Sequence, residues 1–302
     1  MKKRYSILFA ILSVAIWLPI YAINIPSTHL VSPTWLAKNM YNKLLVIVDT
    51  RRADEYNAGH IPDAVSIPVN SMMENRNGIP SYVASPDKII KLFRQKGISN
   101  NSYIVFYSGN GRATSFVAST REFWTAWYYG LSNLAVLRGG FNRWKAEKRA
   151  ISKVPIMLKH GNFTIKEMRL NTIATLPYVD YAVTTKKVQL LDSREPAHFF
   201  GRDNDPRLAK HGHILGAKEL FIGNFSKKVG SYYEIGNESY IKTIFKKAGF
   251  NFDKPIITYC NTGYYGSGSW FVIRFVLNYG QTALYDGSMV EYSKMPNRSV
   301  IK

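Results

Sequence analysis

"LLVIVDTRRADEYNAGHIPDAVSIP", residues 44–68, decides the fold, because the chain writes its pattern twice. The apolar run Leu44–Val48 ends in Asp49-Thr50-Arg51, and Gly59-His60-Ile61-Pro62 follows. In the second half "VQLLDSREPAHFF" (188–200) ends its apolar run in Asp192-Ser193-Arg194, and "HGHILGAKEL" (211–220) repeats the Gly-His-Ile. His60 stands nine residues after Arg51 and His213 nineteen after Arg194, so the second copy carries about ten extra residues, "GRDNDPRLAK" at 201–210. The match then continues. "YIVFYSGNGRATSFVASTREFW" (103–124) pairs with "PIITYCNTGYYGSGSWFVIRF" (255–275), and "LAVLRGGFNRW" (134–144) with "TALYDGSMVEY" (282–292). Four features recurring in one order indicate an internal repeat.

Short β-branched runs alternate with helix-like stretches in both copies. Ile104–Tyr107 and Ile256–Tyr259 read as buried strands. Ala113–Tyr129 and Ser267–Tyr279 read as helices, with Gly130 and Gly280 as their C-caps. Strand–loop–helix units in series imply parallel sheets with helices on both faces. The copies meet in "AISKVPIMLKHGNFTIKEMRLN" (150–171), which places one domain at 23–155 and another at 156–302.

Residues 1–22 read as a secretory signal: Lys2, Lys3 and Arg4, then an apolar run Ile7–Ile20, then Ala22 before a cut. The rival is an uncleaved anchor, since the uncharged stretch from Tyr5 to Ile25 is about long enough to span a bilayer. The short core and Pro19 favour cleavage, and no second spanning segment follows. An exported, periplasmic protein without stable membrane insertion is expected, and a monomer. The net charge is +20, but the basic residues are scattered, with no dense block and no nucleic-acid recognition motif. A basic solvated surface is the reading, and no nucleic-acid partner is expected. With 46% hydrophobic and 14% aromatic residues the chain supports packed cores.

The chain holds one cysteine, Cys260. It cannot form an internal bridge, so in an exported protein it is either an intermolecular or a reactive thiol; the structural alternative is a small buried hydrophobe. It ends a strand and precedes a helix. Backbone N–H groups of a loop curled at a helix N-terminus favour an anion there. A thiol of pKa about 8.5 is only a few per cent thiolate at neutral pH. A drop of about two pH units needs about 2.7 kcal/mol, which several N–H donors can supply.

Taken together these residues resemble the tandem rhodanese-type sulfurtransferases, the thiosulfate and 3-mercaptopyruvate family, over nearly all of the chain after residue 22. In that family the C-terminal copy carries the active cysteine at the head of a loop Cys-x-x-Gly-x-x. Here the loop is Cys260, Asn261, Thr262, Gly263, Tyr264, Tyr265. The N-terminal copy has usually lost its cysteine, and Ser108 stands there. "LYDGSMVEYS" (284–293) resembles the family's closing signature. The resemblance implies an α/β fold of two rhodanese-like domains in tandem, each a mainly parallel sheet flanked by helices, the first non-catalytic and the second catalytic. It implies transfer of a sulfane sulfur from a small anionic donor to a thiol or cyanide through a Cys260 persulfide, with no cofactor and no metal. The alternative is a rhodanese-like module that carries sulfur or binds a protein without turnover.

The substrate-binding set is then Arg194, Arg207 and loop residues Asn261, Thr262, Gly263, Tyr264 and Tyr265. Arg194 sits at a strand end facing the ligand crevice; it either meets the donor or orients the loop, and its copy Arg51 beside Ser108 favours a structural job. Arg207 and Arg202 lie in the insertion, Arg207 being the better family match. His60 and His213 occupy equivalent places and read as structural; a metal on His211 and His213 lacks a third ligand. Ser288 is a candidate to polarise a substrate, with turn structure as the alternative. The sequence departs from the thiosulfate enzymes in the neutral Asn261 and Thr262, and from both subfamilies in His198, where a basic residue is usual. A Cys-x5-Arg phosphatase is excluded because Gly266 occupies the arginine position and the next arginine is Arg274.

Overall fold

The computed structural model describes residues 23–302 apart from 110 and 158. The expected leader, residues 1–22, lies outside the described residues. Among the described residues no helix is long and apolar enough to cross a membrane.

The first half builds a sheet from β1 (Leu30–Val31), β2 (Leu45–Asp49), β3 (Ala64–Ser66), β4 (Tyr103–Tyr107) and β5 (Leu134–Leu137), in the order β1-β5-β4-β2-β3. The second builds one from β6 (Ile173–Ala174), β7 (Gln189–Asp192), β8 (Lys218–Glu219), β9 (Ile256–Tyr259) and β10 (Thr282–Tyr285), in the order β6-β10-β9-β7-β8. The crossings are the same, and every pairing within the two sheets is parallel. The repeat in sequence is therefore a repeat in topology.

Strand alternation explains the layering. Val46, Val48, Ile104, Phe106, Leu134 and Val136 point to one face of the first sheet, and Ile47, Val105 and Ala135 to the other. In the second sheet Leu191, Ile256 and Leu284 join the core that holds Val48 and Phe106, while Leu190, Ile257 and Ala283 face away. One apolar core thus runs through both halves. Each buried aliphatic or aromatic side chain in it contributes about 1.5–3 kcal/mol.

That shared core is closed by two helices, Val117–Tyr128 and Tyr264–Phe271. Phe123 meets Phe271 edge to face at 5.0 Å and Phe275 at 5.1 Å. The first helix starts later than expected and the second earlier. The second continues into a wider turn, Val272–Val276, where Leu277 N–H reaches Val272 O at 3.0 Å. Gly130 follows its helix in a left-handed conformation (φ 97°), as a C-cap should. Gly280 does not; Asn278 takes the left-handed place (φ 53°), because the wide turn ends the helix sooner.

Each half also sends a hairpin across the seam. Ile79–Val83, paired with Met73–Arg76, delivers Val83 N–H to Asp286 Oδ2 at 2.7 Å. Tyr232–Ile235, paired with Ser226–Val229, presents Ile235 O to Arg138 Nη2 at 3.0 Å and Glu234 to Arg143 at 2.9 Å.

Candidate active site

β9 ends in Tyr259, whose hydroxyl accepts Ile214 N–H at 3.3 Å, and the next residue is Cys260 at 3% exposure. The chain turns within three residues. Gly263 takes φ +74° and caps the helix that begins at Tyr264. A Cβ on Gly263 would stand 2.6 Å from Asp286 Oδ1 and 2.8 Å from Asp286 O, so both conformation and space demand glycine. Gly266 serves a different need. A Cβ there would meet Leu284 Cδ1 at 2.7 Å, so its absence lets the helix lie close on the sheet.

Ser288 pins the loop. Its Oγ accepts Cys260 N–H at 3.2 Å and Gly263 N–H at 2.9 Å and donates to Tyr285 O at 2.8 Å. Its side chain is spent on the backbone, so the expectation that it polarises a substrate is replaced by a structural task. Thr262 N–H points at Cys260 Sγ from 3.4 Å. Of the several loop donors expected on the sulfur, one is therefore in place, since Cys260 N–H and Gly263 N–H are turned to Ser288. The first-turn N–H groups of the following helix have no acceptor within the helix and face its N-terminal end.

Arg194 is 1% exposed and orients the loop. Nε and Nη2 bind Asp192 at 2.9 and 2.6 Å, Nη2 also binds Gly212 O at 2.8 Å, and Nη1 donates to Asn261 Oδ1 at 3.0 Å. Burial opposes the Arg194 charge, but the Asp192 carboxylate outweighs it and holds the guanidinium above its ordinary pKa. Arg51 repeats the arrangement on Asp49 (2.6 Å) and Gly59 O (2.7 Å). Gly109 stands opposite it in place of Asn261. The His pair is likewise structural: His60 stacks on Tyr56 and His213 on Phe199, each with Nδ1 2.9 Å from that ring's own carbonyl.

The hydrogen bonds run outward from Asn261, whose Nδ2 donates to Asp205 Oδ2 at 2.8 Å. Asp205 in turn holds Arg207 at 2.5 and 2.8 Å. Those bonds lower the Asp205 carboxyl to about 2, and they raise Arg207, which also feels the Cys260 charge. Arg207 is half exposed at the lip. Arg202 instead lies on the surface against the Phe200 ring, outside the cleft.

A cleft of about 420 Å³ opens over Cys260. Arg194, Arg207, Cys260, Asn261, Thr262, Tyr264 and Tyr265 all line it; Gly263 does not, because it is turned to Asp286. Burial pushes both phenols, Tyr264 and Tyr265, up. The opposite wall is Val69, Asn70, Met73 and Ser81 from the first half. Those four follow the His60 segment in the chain, but nothing local in the sequence marks them. His198 also lines the cleft, with Nδ1 2.6 Å from Asp203 Oδ2.

The corresponding place in the first half is built differently. Ser108 Oγ donates to Ser115 O and accepts from Ser119 Oγ at 2.8 Å. Its helix begins nine residues later, at Val117, whereas Tyr264 is four after Cys260. Gly140 stands in the place of Ser288, and Phe141 N–H bonds Ser108 O as Met289 N–H bonds Cys260 O. The helix that follows Ser108 in the chain therefore does not start against it, as the one after Cys260 does.

The rhodanese-like domain pattern matches residues 32–147 and 176–295. A Synechococcus elongatus protein named "Putative thiosulfate sulfurtransferase" is 30% identical over 94% of this chain and 88% of its own length. The 3-mercaptopyruvate sulfurtransferase of Escherichia coli is 24% identical over 88% and 95%. The crystal structure of SseA from Escherichia coli superposes with a TM-score of 0.75 at 22% identity, covering 86% of this chain and 98% of that one. The anaerobic ergothioneine biosynthesis enzyme of Chlorobium limicola gives 0.77 at 21%, covering 91% and 70%. Two matched domains that share one topology, with a single thiol at the strand end of the second, leave one assignment: the chain belongs to the rhodanese-like family, with two such domains in tandem.

Proposed function

We propose that this protein is a sulfurtransferase that carries sulfur on Cys260. The observation that carries the reading is the placement of the only thiol, at the floor of the cleft and at the N-terminal end of a helix, with Thr262 N–H directed at it. The Cys260 thiolate attacks the outer sulfur of a small anionic donor, thiosulfate or 3-mercaptopyruvate. With thiosulfate the S–S bond breaks and sulfite leaves with the electron pair. With 3-mercaptopyruvate the C–S bond breaks and the pyruvate enolate leaves and takes a proton. The product is Cys260–S–S⁻, whose charge lies one atom further out from Cys260, in a site that the helix N-terminus makes favourable to an anion. A thiolate or cyanide then attacks the outer sulfur and Cys260 thiolate leaves. Arg207 at the lip attracts the donor's anionic end, Arg194 and Asn261 hold the loop, and Tyr264 and Tyr265 narrow the mouth. The names of the relatives support the reaction class. The catalytic unit is the 156–302 half, and 23–155 supplies the opposite wall. Residues 1–22 act as a leader that exports the protein to the periplasm.

The test is the intact mass of the purified protein before and after each donor. A gain of about 32 Da, removed by cyanide and absent in Cys260→Ser, is the expected covalent step. A persulfide that forms and is never discharged to any acceptor would mean a carrier without turnover, and no gain with reduced Cys260 would end the sulfur reading.

A further inference from the structure

Arg121 belongs to the half without a thiol, in the helix Val117–Tyr128, yet it is 0% exposed at the seam between the halves. Its Nη1 donates to Asp286 Oδ1 at 2.5 Å and its Nη2 to Ser81 O at 3.0 Å. The guanidinium lies 4.8 Å from the Trp124 ring. Asp286 receives Val83 N–H on its other oxygen at 2.7 Å. One cation and one carboxylate thus join three segments: the helix of the first half, its Ile79–Val83 strand, and the end of β10.

The same pair is packed against the Cys260 loop. The missing Cβ of Gly263 would stand 2.6 Å from Asp286 Oδ1 and 3.0 Å from Arg121 Nη1. Gly263 N–H and Cys260 N–H share Ser288 Oγ, two residues beyond Asp286. Arg121, Asp286, Gly263, Ser288 and Cys260 therefore form one unbroken chain of contacts. Ser81, held by the other end of the guanidinium, lines the facing wall of the cleft. A buried ion pair is weak grounds for a stabilising role, because desolvation offsets most of the attraction. Its value lies in fixing geometry.

We infer that Arg121 is a positioning residue for Cys260: the half without a nucleophile sets the loop geometry and cleft width of the half that has one. This rests on Cys260 being the sulfur-carrying nucleophile, and Arg121 acts on it through Asp286 without touching the reacting atoms.

Two variants of the full chain test it. Arg121→Met combined with Asp286→Asn removes the pair without leaving a buried unpaired charge, and Arg121→Lys keeps the cation. The readouts are the thermal melt, the rate at which iodoacetamide alkylates Cys260, and kcat and KM with thiosulfate or 3-mercaptopyruvate as donor and cyanide as acceptor. The double variant should keep a cooperative melt, alkylate about fivefold or more slowly, and lose about tenfold or more in kcat with KM within about threefold. Arg121→Lys should recover most of both losses. A folded double variant with alkylation and kcat within about twofold of the parent overturns the inference. Loss of the melt in both variants assigns the pair to folding alone and overturns it as well. Alkylation needs no sulfur donor, so failure of the parent to turn over would defeat the proposed reaction and leave the positioning test standing.

Discussion

Replacing Ser288 with alanine removes one oxygen and leaves three backbone groups without a partner: Cys260 N–H, Gly263 N–H and Tyr285 O, held at 3.2, 2.9 and 2.8 Å. Ser288 is fully buried, so water cannot take its place without the loop opening. Each orphaned group costs about 1–3 kcal/mol, reduced by whatever relaxation the loop allows, and a total of about 2–4 kcal/mol is expected. In a chain of this size that lowers Tm by roughly 3–7 °C. Loading of sulfur in a single turnover should slow by about tenfold or more, because a loop displaced by even about 1 Å misplaces the thiolate. Ser288→Gly separates the terms. Ser288 sits at φ +50°, and glycine relieves that strain by about 1 kcal/mol while losing the same bonds. Glycine should therefore be more stable than alanine and no faster in loading. Calorimetry and rapid-mixing mass measurement on the three proteins read this directly. An alanine variant melting within 1 °C of the parent and loading at the parent rate would refute the account of how the loop is held.

Three further outcomes follow from the same geometry. The Asp205 carboxyl is lowered to about 2, chiefly by Arg207, so the folded state binds its proton less readily than the unfolded chain. Its contribution is present above about pH 4 and lost as pH falls toward about 2; urea unfolding should show a smaller loss over that window in Asp205→Asn, and equal acid sensitivity would count against the bond. Glu122 is wholly buried with neither oxygen hydrogen-bonded, and burial raises its pKa well above the usual carboxyl range. Folding therefore retains a proton there that the unfolded chain releases above about pH 4, and Glu122→Gln should gain stability over the parent as pH rises from 5 to 9. Ser108→Cys should gain no second sulfur from either donor, since the helix after it begins only at Val117 and Gly140 offers no hydroxyl to pin the loop as Ser288 does; a mass gain of two sulfurs would show that the thiol alone decides which half works.

The sequence carried the fold because its markers are local and doubled. Asp-x-Arg, Gly-His-Ile and the strand before Cys260 each set backbone geometry within a few residues, and each appears twice in the same order. The loop was legible for the same reason, since Gly263 and Cys260 are three residues apart. The opposite wall was not. Val69, Asn70, Met73 and Ser81 face Cys260 only because two domains pack together, and the Arg121–Asp286 pair spans 165 residues. Arg207 was found by position in the insertion, but its partner Asp205, two residues earlier, was missed because a carboxylate in a basic segment gives no sign of which cation it will hold. The helix bounds failed at both starts, Val117 and Tyr264, and at the wide turn Val272–Val276, which ends the second helix before Tyr279.

Arg121 and its carboxylate also fix a schedule. The ribosome adds about 5–20 residues per second, so the 165 residues between the two take about 8–33 s to make. For that interval the first domain has its strands and its helix but not the acid that neutralises Arg121, nor Phe271 and Phe275 to cover Phe123. It waits as a half-finished surface, and the contact that completes it arrives only with Asp286, at the end of β10. Cut at the linker, the first domain would keep its sheet but leave Arg121 without Asp286 and Phe123 without Phe271 and Phe275.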